Sequence, residues 1–459
     1  MSVGQSMQTK IVINGLRSRM KITRVTVLSF VLVFIAALPL QVSADQVKLT
    51  VNKVRQQALT FNRSYLAALE EVIKAEGDVT KARAGAFPTI ELTGGYLRSF
   101  KIPKMYYEAN GETREMQFGY KNSFSTGLSL RQSIFQGGKV FTAYSIAKDY
   151  KKYAQALADQ SQSELVYNAE ILFYSAILEQ SHLEVLEKAL DASNCNLDVI
   201  EKRFSQGLMS EFEVLRARVK KNNLLPQILA VESEVRMSKK RLKSFLGIKL
   251  NADVLLIEDM GDTSLQALPS LEEHMRAALE GRSEVQQASK MVDMRKRAIR
   301  IAKGDYYPSA SAFLSYDLES VSDNFSLSDN TSTSWTAGLS LTIPIFQGGA
   351  RGGKVSISKA DYRQTLLARD QLQDDIRLEV EEAYDHLLQA KKTLDIQVTN
   401  IAEAETGLRI ANLRYESGVG ILLEVLSAQA ALTEARNAQA EALFMFRQAK
   451  SQLKKASTL

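Results

Sequence analysis

The sequence predicts an α+β membrane protein with four amphipathic strands per chain, very long coiled-coil helices and one internal duplication. Three observations predict it. Sliding the chain by 211 positions lays Gly127–Ile248 on Gly338–Leu459 without a gap, so a 122-residue unit occurs twice. Within each unit, apolar residues keep a 4-3 spacing for longer than a compact domain can house. Ahead of these runs stand segments with one apolar and one polar face at a period of two.

At the N-terminus, residues 1–24 hold Lys10, Arg17, Arg19, Lys21 and Arg24 and no acid. The apolar run Val25–Leu40 and the small triplet Val42-Ser43-Ala44 follow. This pattern predicts a secretory signal over 1–44; Met20 is an alternative start, and an uncleaved anchor is the competing reading. Without the signal, Lys plus Arg falls from 58 to 53 against 52 acids, a net charge of about +1 that gives no basis for nucleic-acid binding. Cys195 is the only cysteine, which excludes an intrachain disulfide, and inside a helical run it reads as packing.

The first repeat is expected over 45–268. Thr50–Leu59 and Ser64–Ala84 read as helices, and a β-hairpin follows over 88–134. Ile90, Leu92, Gly94 and Tyr96 share one face of its first strand, and Phe118, Tyr120, Phe124, Leu128 and Leu130 one face of its second. Between them Phe100–Met116, with Pro103 and Asn110-Gly111, reads as a loop. Coiled-coil helices are predicted over 138–246, where Leu165, Ala169, Leu172, Ala176, Leu183, Leu186, Leu190, Leu197 and Ile200 carry the stripe. Pro226 is expected to kink the second helix, Gly247 to end it, and 247–268 to form a linker with a strand-like run at Val254–Ile257.

The second repeat, 269–459, opens on a capping box, Ser270-Leu271-Glu272-Glu273. A hairpin over 308–345 sets Ala310, Ala312, Leu314, Tyr316 and Leu318, then Trp335, Ala337, Leu339, Leu341 and Ile343, against small polar residues. Helices over 349–456 repeat the stripe with Ile376, Val380, Ala383, Leu387, Leu394, Ile401, Leu408 and Ala411. A helix from Gly349 to Arg414 runs on the order of 100 Å at 1.5 Å per residue.

Such strands suit a transmembrane barrel, with aromatics toward the loop ends where a membrane interface would lie. Four strands leave unpaired edges, which lipid does not permit, and about eight is the smallest closed form. Three copies would supply twelve.

The duplicated junctions Ser133-Ile134-Phe135-Gln136-Gly137-Gly138 and Pro344-Ile345-Phe346-Gln347-Gly348-Gly349 resemble those of the TolC family of outer-membrane efflux proteins. So do the turns Arg203-Phe204-Ser205-Gln206-Gly207 and Arg414-Tyr415-Glu416-Ser417-Gly418, each with Glu-Val-Leu shortly after. The resemblance covers essentially all of Asp45–Leu459. It implies a homotrimer: a twelve-stranded β-barrel in the cell outer membrane of a Gram-negative type envelope, continued in the periplasm by a twelve-helix coiled-coil α-barrel. It implies an exit duct of a tripartite efflux or type I secretion system. The partners would be a periplasmic membrane-fusion adaptor and an inner-membrane pump of the RND, ABC or MFS type.

The family's acidic constriction falls on Glu424 and its second acidic position on Ser427. Its tyrosine latch falls on Tyr415 with Glu213 as acceptor, and an arginine latch on Gly420. The adaptor-docking turn tips are Gly207, Leu208, Gly418 and Val419. Independently of the resemblance, a carboxylate just past a helical turn and repeated by symmetry forms a ring at a narrow end. Like charges about 6 Å apart repel by roughly 0.7–3 kcal/mol, which a bound cation relieves. Equally, Glu213 and Glu424 can be solvated first-turn acids, and Gly207 and Gly418 can serve only the turn geometry.

Other classes are poorly supplied. His182, His274 and His386 are scattered and no HExxH, GxSxG or phosphate loop occurs, so no enzyme, metal site or cofactor is expected. A soluble periplasmic coiled-coil scaffold is the alternative function.

Overall fold

The computed structural model describes residues 47–109, 111–257, 265 and 268–459. The signal segment 1–44 and part of the linker 247–268 lie outside the described residues. The first half runs β1 (Val47–Leu49), α1 (Val51–Phe61), α2 (Arg63–Ala84), β2 (Thr89–Arg98), β3 (Lys104–Ala109), β4 (Glu112–Gln117), β5 (Asn122–Gln136), α3 (Lys139–Ser205), α4 (Glu211–Asn222) and α5 (Leu224–Phe245). The second runs β6 (Val254–Leu256), α6 (Leu271–Gly281), α7 (Ser283–Gly304), β7 (Ser309–Ser322), β8 (Thr331–Thr342), α8 (Ala350–Glu416) and α9 (Leu422–Ser457).

The heptad stripe decides how the helices pack. α3 and α8 are each 67 residues long, and their buried positions follow the 4-3 spacing: Leu165, Ala169, Ala176, Leu186, Leu197 and Ile200 in one, Ile376, Val380, Ala383, Leu387 and Leu394 in the other. Two equivalent cores result. One gathers Leu165, Ala169 and Phe173 of α3 with Leu242 of α5, Val54 of α1 and the β1–β6 pair; the other gathers Ile376, Val380 and Leu387 of α8 with Phe446 and Leu453 of α9 and Ala278 of α6. Each fully buried Leu, Ile or Phe contributes roughly 1.5–3 kcal/mol. The capping box forms as the sequence predicts, with Ser270 and Glu273 exchanging side-chain and backbone hydrogen bonds.

β2, β5, β7 and β8 make one antiparallel sheet in the order β2-β5-β7-β8. Register puts Leu92 opposite Leu128, Leu128 opposite Tyr316, and Tyr316 opposite Trp335. Because side chains alternate along every strand, one face carries these residues with Ile90, Leu130, Leu314, Leu339 and Leu341. The other carries Ser125, Ser129, Arg131, Ser315, Asp317, Glu319 and Ser340. Ile90, Leu92, Trp335, Leu339 and Leu341 are all exposed. At one end of the apolar face Tyr96, Phe124 and Phe325 stack with centroids 4.8–5.4 Å apart, and Tyr316 meets Trp335 at 4.7 Å.

Four expectations need correction. Phe100–Met116 is not a loop: β3 and β4 pair within it as a second hairpin, turned at Gly111 with φ 81°. Its Tyr106 and Tyr107 are strand formers, and the polar residues around them hid the pattern. Phe118 and Tyr120 stand before β5, which begins at Asn122. Pro226 does not bend a continuous helix; it sits in the first turn of α5, where a missing N–H is tolerated, and its ring ends α4 at Asn222. Cys195 is exposed on α3 and does not pack within the chain.

At the strand-to-helix junctions, Gly138 and Gly349 cap α3 and α8 with φ of 75° and 84°. Gly137, at φ 61°, lies so close to the Gly304 carbonyl and Tyr307 that a Cβ has no room. Lys139 and Lys354 both reach the Asp305 carboxylate, which their charges hold below its ordinary range.

Candidate functional site

The site sits where the four coiled-coil helices turn back. Both turns close by the same backbone device. Gly207 adopts φ 75°, its N–H donates to Phe204, and the Leu208 N–H donates to the Arg203 carbonyl at 2.9 Å. Gly418, also at φ 75°, donates to Tyr415, and the Val419 N–H donates to the Arg414 carbonyl at 3.0 Å. These paired bonds make a Schellman motif, whose left-handed residue favours glycine. In that motif the next residue usually folds onto the helix's last turn. Here that turn presents Arg203 and Arg414, and Leu208 and Val419 are left 71% and 74% exposed. Two apolar side chains therefore stand at the tips.

Past the turns the two copies diverge. α4 starts on Ser210, whose hydroxyl accepts the Glu213 N–H. α9 starts on Ile421, which offers no side-chain cap, so the Glu424 N–H has only the Ile421 carbonyl, where the Glu213 N–H is shared between the Ser210 carbonyl and hydroxyl. Glu424 stands in this uncapped first turn, where the helix dipole favours a carboxylate. Arg414 Nε lies 3.7 Å from its Oε2, with both side chains about half exposed, a pair worth at most about 1 kcal/mol. Ser427, one turn further, is exposed.

Tyr415 belongs to the other half of the site. It packs on the small core of Leu197, Ile200, Val214, Ala217, Leu422 and Leu426 that joins the two turns. Arg203 lies over its ring, 4.8 Å from the centroid, a cation–π contact. Burial raises the phenol above its ordinary pKa; Arg203 opposes this and the Glu213 charge adds to it. The hydroxyl is buried and reaches no carboxylate: in this conformation Tyr415 and Glu213 are neighbours without a hydrogen bond. At Gly420 an added Cβ would press on Arg414 at 3.0 Å, and the Gly420 N–H donates to the Arg414 carbonyl at 2.8 Å. A side chain there would need the Arg414–Tyr415 backbone to give by a few tenths of an ångström.

The structure thus brings Glu213 to Tyr415 and places Glu424 on the same turn cluster, with Gly207, Leu208, Gly418 and Val419 as the exposed tips. Sequence reasoning assigned no role to Arg203 and Arg414. Both stand at one repeat position, but their neighbours Phe204 and Tyr415 differ, and nothing in the spacing marks which ring Arg203 covers. Among the described residues, no three His, Cys, Asp or Glu side chains gather as a metal site, and no helix is long and apolar enough to cross a membrane.

The chain thus sets a sheet with one apolar and one polar face on paired coiled-coil rods that end in glycine turns. The profile of the outer membrane efflux protein family matches residues 54–248 and 275–458. The chain belongs to that family, and it acts as an outer-membrane efflux channel. It is 21% identical to Nodulation protein T of Rhizobium leguminosarum bv. trifolii, over 84% of this chain and 81% of that one. It is 20% identical to Outer membrane protein TolC of Salmonella enteritidis, over 86% and 79%. A membrane protein from Pseudomonas aeruginosa superposes with a TM-score of 0.74 at 18% identity, covering 88% of this chain and 93% of that one. Membership decides between the two readings of the sequence: the soluble scaffold is set aside, and the predominantly helical α+β fold is the family's.

Proposed function

We propose that three copies of the chain close the wall that one copy leaves open, as a twelve-stranded barrel in the outer membrane continued by a twelve-helix periplasmic tunnel. The unpaired edges of β2 and β8 support this, because lipid does not accept an open sheet edge. The exposed Leu208 and Val419 make the turns the docking tips for a periplasmic adaptor, which links the duct to an inner-membrane pump. Cargo is selected by that pump. Passage of small solutes or of secreted polypeptide uses the same channel.

The observation that carries the gating reading is Glu424 in the first turn of α9, half-exposed beside the turn and held only by a weak pair with Arg414. Three copies would set three carboxylates around the axis at the periplasmic mouth, with Glu213 and Ser427 nearby. Tyr415, with Arg203 on its ring and Glu213 next to it, acts as the latch between adjacent turns. A cation entering the ring relieves mutual repulsion of roughly 0.7–3 kcal/mol per pair. The channel should therefore prefer cations and be blocked from the periplasmic side by multivalent ones. Single-channel recording in planar bilayers tests this: Glu424→Ala should lose most of the cation preference and the block. Unchanged selectivity would remove Glu424 from the constriction.

A further inference from the structure

The four-stranded sheet sorts its charges by face. Side chains alternate along every strand, and Glu91, Arg131, Asp317 and Glu319 all fall on the face that carries the serines. The opposite face, with Leu92, Leu128 and Tyr316, holds a single charged residue, Arg98. It is the last residue of β2 and pairs with Asn122, at the end of the sheet away from the rods. Ile90 and Arg98 stand about 26 Å apart along the strand at about 3.3 Å per residue. On a tilted strand that distance covers most of an apolar band about 25 Å tall. An arginine facing lipid is costly at mid-depth and nearly free at the interface, where its head reaches the polar layer.

The surroundings of Arg98 fit that depth. Just below it on the same face, Tyr96 and Phe124 stack with Phe325. Phe325 takes a φ of 46°, rare for a bulky residue, and its ring is 62% exposed. Beyond it, the Arg98 guanidinium lies 5.8 Å from the centre of the Phe100 ring, which is 93% exposed. Two bare rings therefore flank one cation. Farther out on the hairpin the cations have partners: Lys104 meets Glu115 at 2.5 Å, and Arg114 lies 3.9 Å from Glu112. Among the described residues no carboxylate pairs in this way with Arg98 or with the exposed Lys101. Lys121 is placed differently. Its carbonyl accepts the Ser99 N–H at 2.8 Å, so the alternation of β5 carries it to the serine face.

We propose that this rim binds the phosphate headgroup of a membrane lipid in the leaflet distal to the rods. The planar guanidinium of Arg98 takes two phosphate oxygens side by side, and Lys101 adds a point charge. The acyl chains lie along Tyr96, Phe124 and Phe325. Phe100 shields the ion pair from water, which strengthens it. A free phosphate ion meets the charges but gains nothing from the rings, so it binds far more weakly. The proposal rests on the sheet's place in the membrane wall and adds a ligand to its outer rim.

Native mass spectrometry of the full-length protein in non-ionic detergent, titrated with diphosphoryl lipid A, tests it. Arg98→Ala should weaken binding about fivefold and Arg98→Ala/Lys101→Ala about 25-fold, the effect of one and two cations at a charged membrane surface. Lys121→Ala, at the same end but on the serine face, should bind as the unchanged protein does. Excess inorganic phosphate should not displace the lipid. Unaltered binding by Arg98→Ala, an equal loss in Lys121→Ala, or displacement by inorganic phosphate overturns the proposal. If the protein still conducts in planar bilayers in that case, the duct reading stands. A protein that neither conducts nor binds lipid A would bring down both.

Discussion

His274 shows how one side chain can tie the fold to pH. It is 4% exposed in the α8–α9 core, its ring 5.9 Å from Tyr384, and neither ring nitrogen has a hydrogen-bond partner. Burial lowers its pKa, against a smaller opposing effect of Glu273. The folded state therefore holds the neutral ring, while the unfolded chain takes up its proton at the ordinary value near 6.5. Stability from this group is full above that value and falls as pH drops below it towards the depressed folded value. Thermal melts at pH 7.5 and pH 5 should show a loss on acidification that His274→Phe reduces. An equal loss in the variant would place the acid sensitivity elsewhere.

At the scale of elements, the uncapped start of α9 is the clearest weak point. The repeat position that holds Ser210 in the first copy holds Ile421 in the second. Restoring the hydroxyl with Ile421→Ser should stabilise the turn by about 0.5–2 kcal/mol, read as slower hydrogen exchange at the amides of α9's first turn. No change would mean that Ile421 packing outweighs the cap. Much at this scale was legible in the sequence. Long rods show because an apolar stripe kept from Leu165 to Ile200, and again from Ile376 to Ala411, has no competing explanation, and β5, β7 and β8 show through alternation. The β3–β4 hairpin did not show, since a free-standing ribbon such as Lys104–Ala109 has no buried face to write a period of two. The site was legible as far as the glycines and Glu213, Glu424 and Tyr415. Arg203 on the Tyr415 ring was not, because that contact joins the two copies across space and has no fixed spacing along the chain.

For the whole molecule, the equal length of α3 and α8 has a consequence for which changes the chain can absorb. Every residue added to or removed from one rod turns all that follows by about 100° and slides it 1.5 Å, so the two halves would reach the turn cluster out of phase. Removing Gly407, a residue with nothing near it, should abolish conductance, whereas removing one residue from the Ser99–Lys121 excursion should leave it intact, both read in planar bilayers. Changes of length should therefore be tolerated in the Ser99–Lys121 excursion and not in the rods. The long hairpin can be rebuilt while the shaft beside it stays fixed in length, like a chimney whose cap alone is free to change.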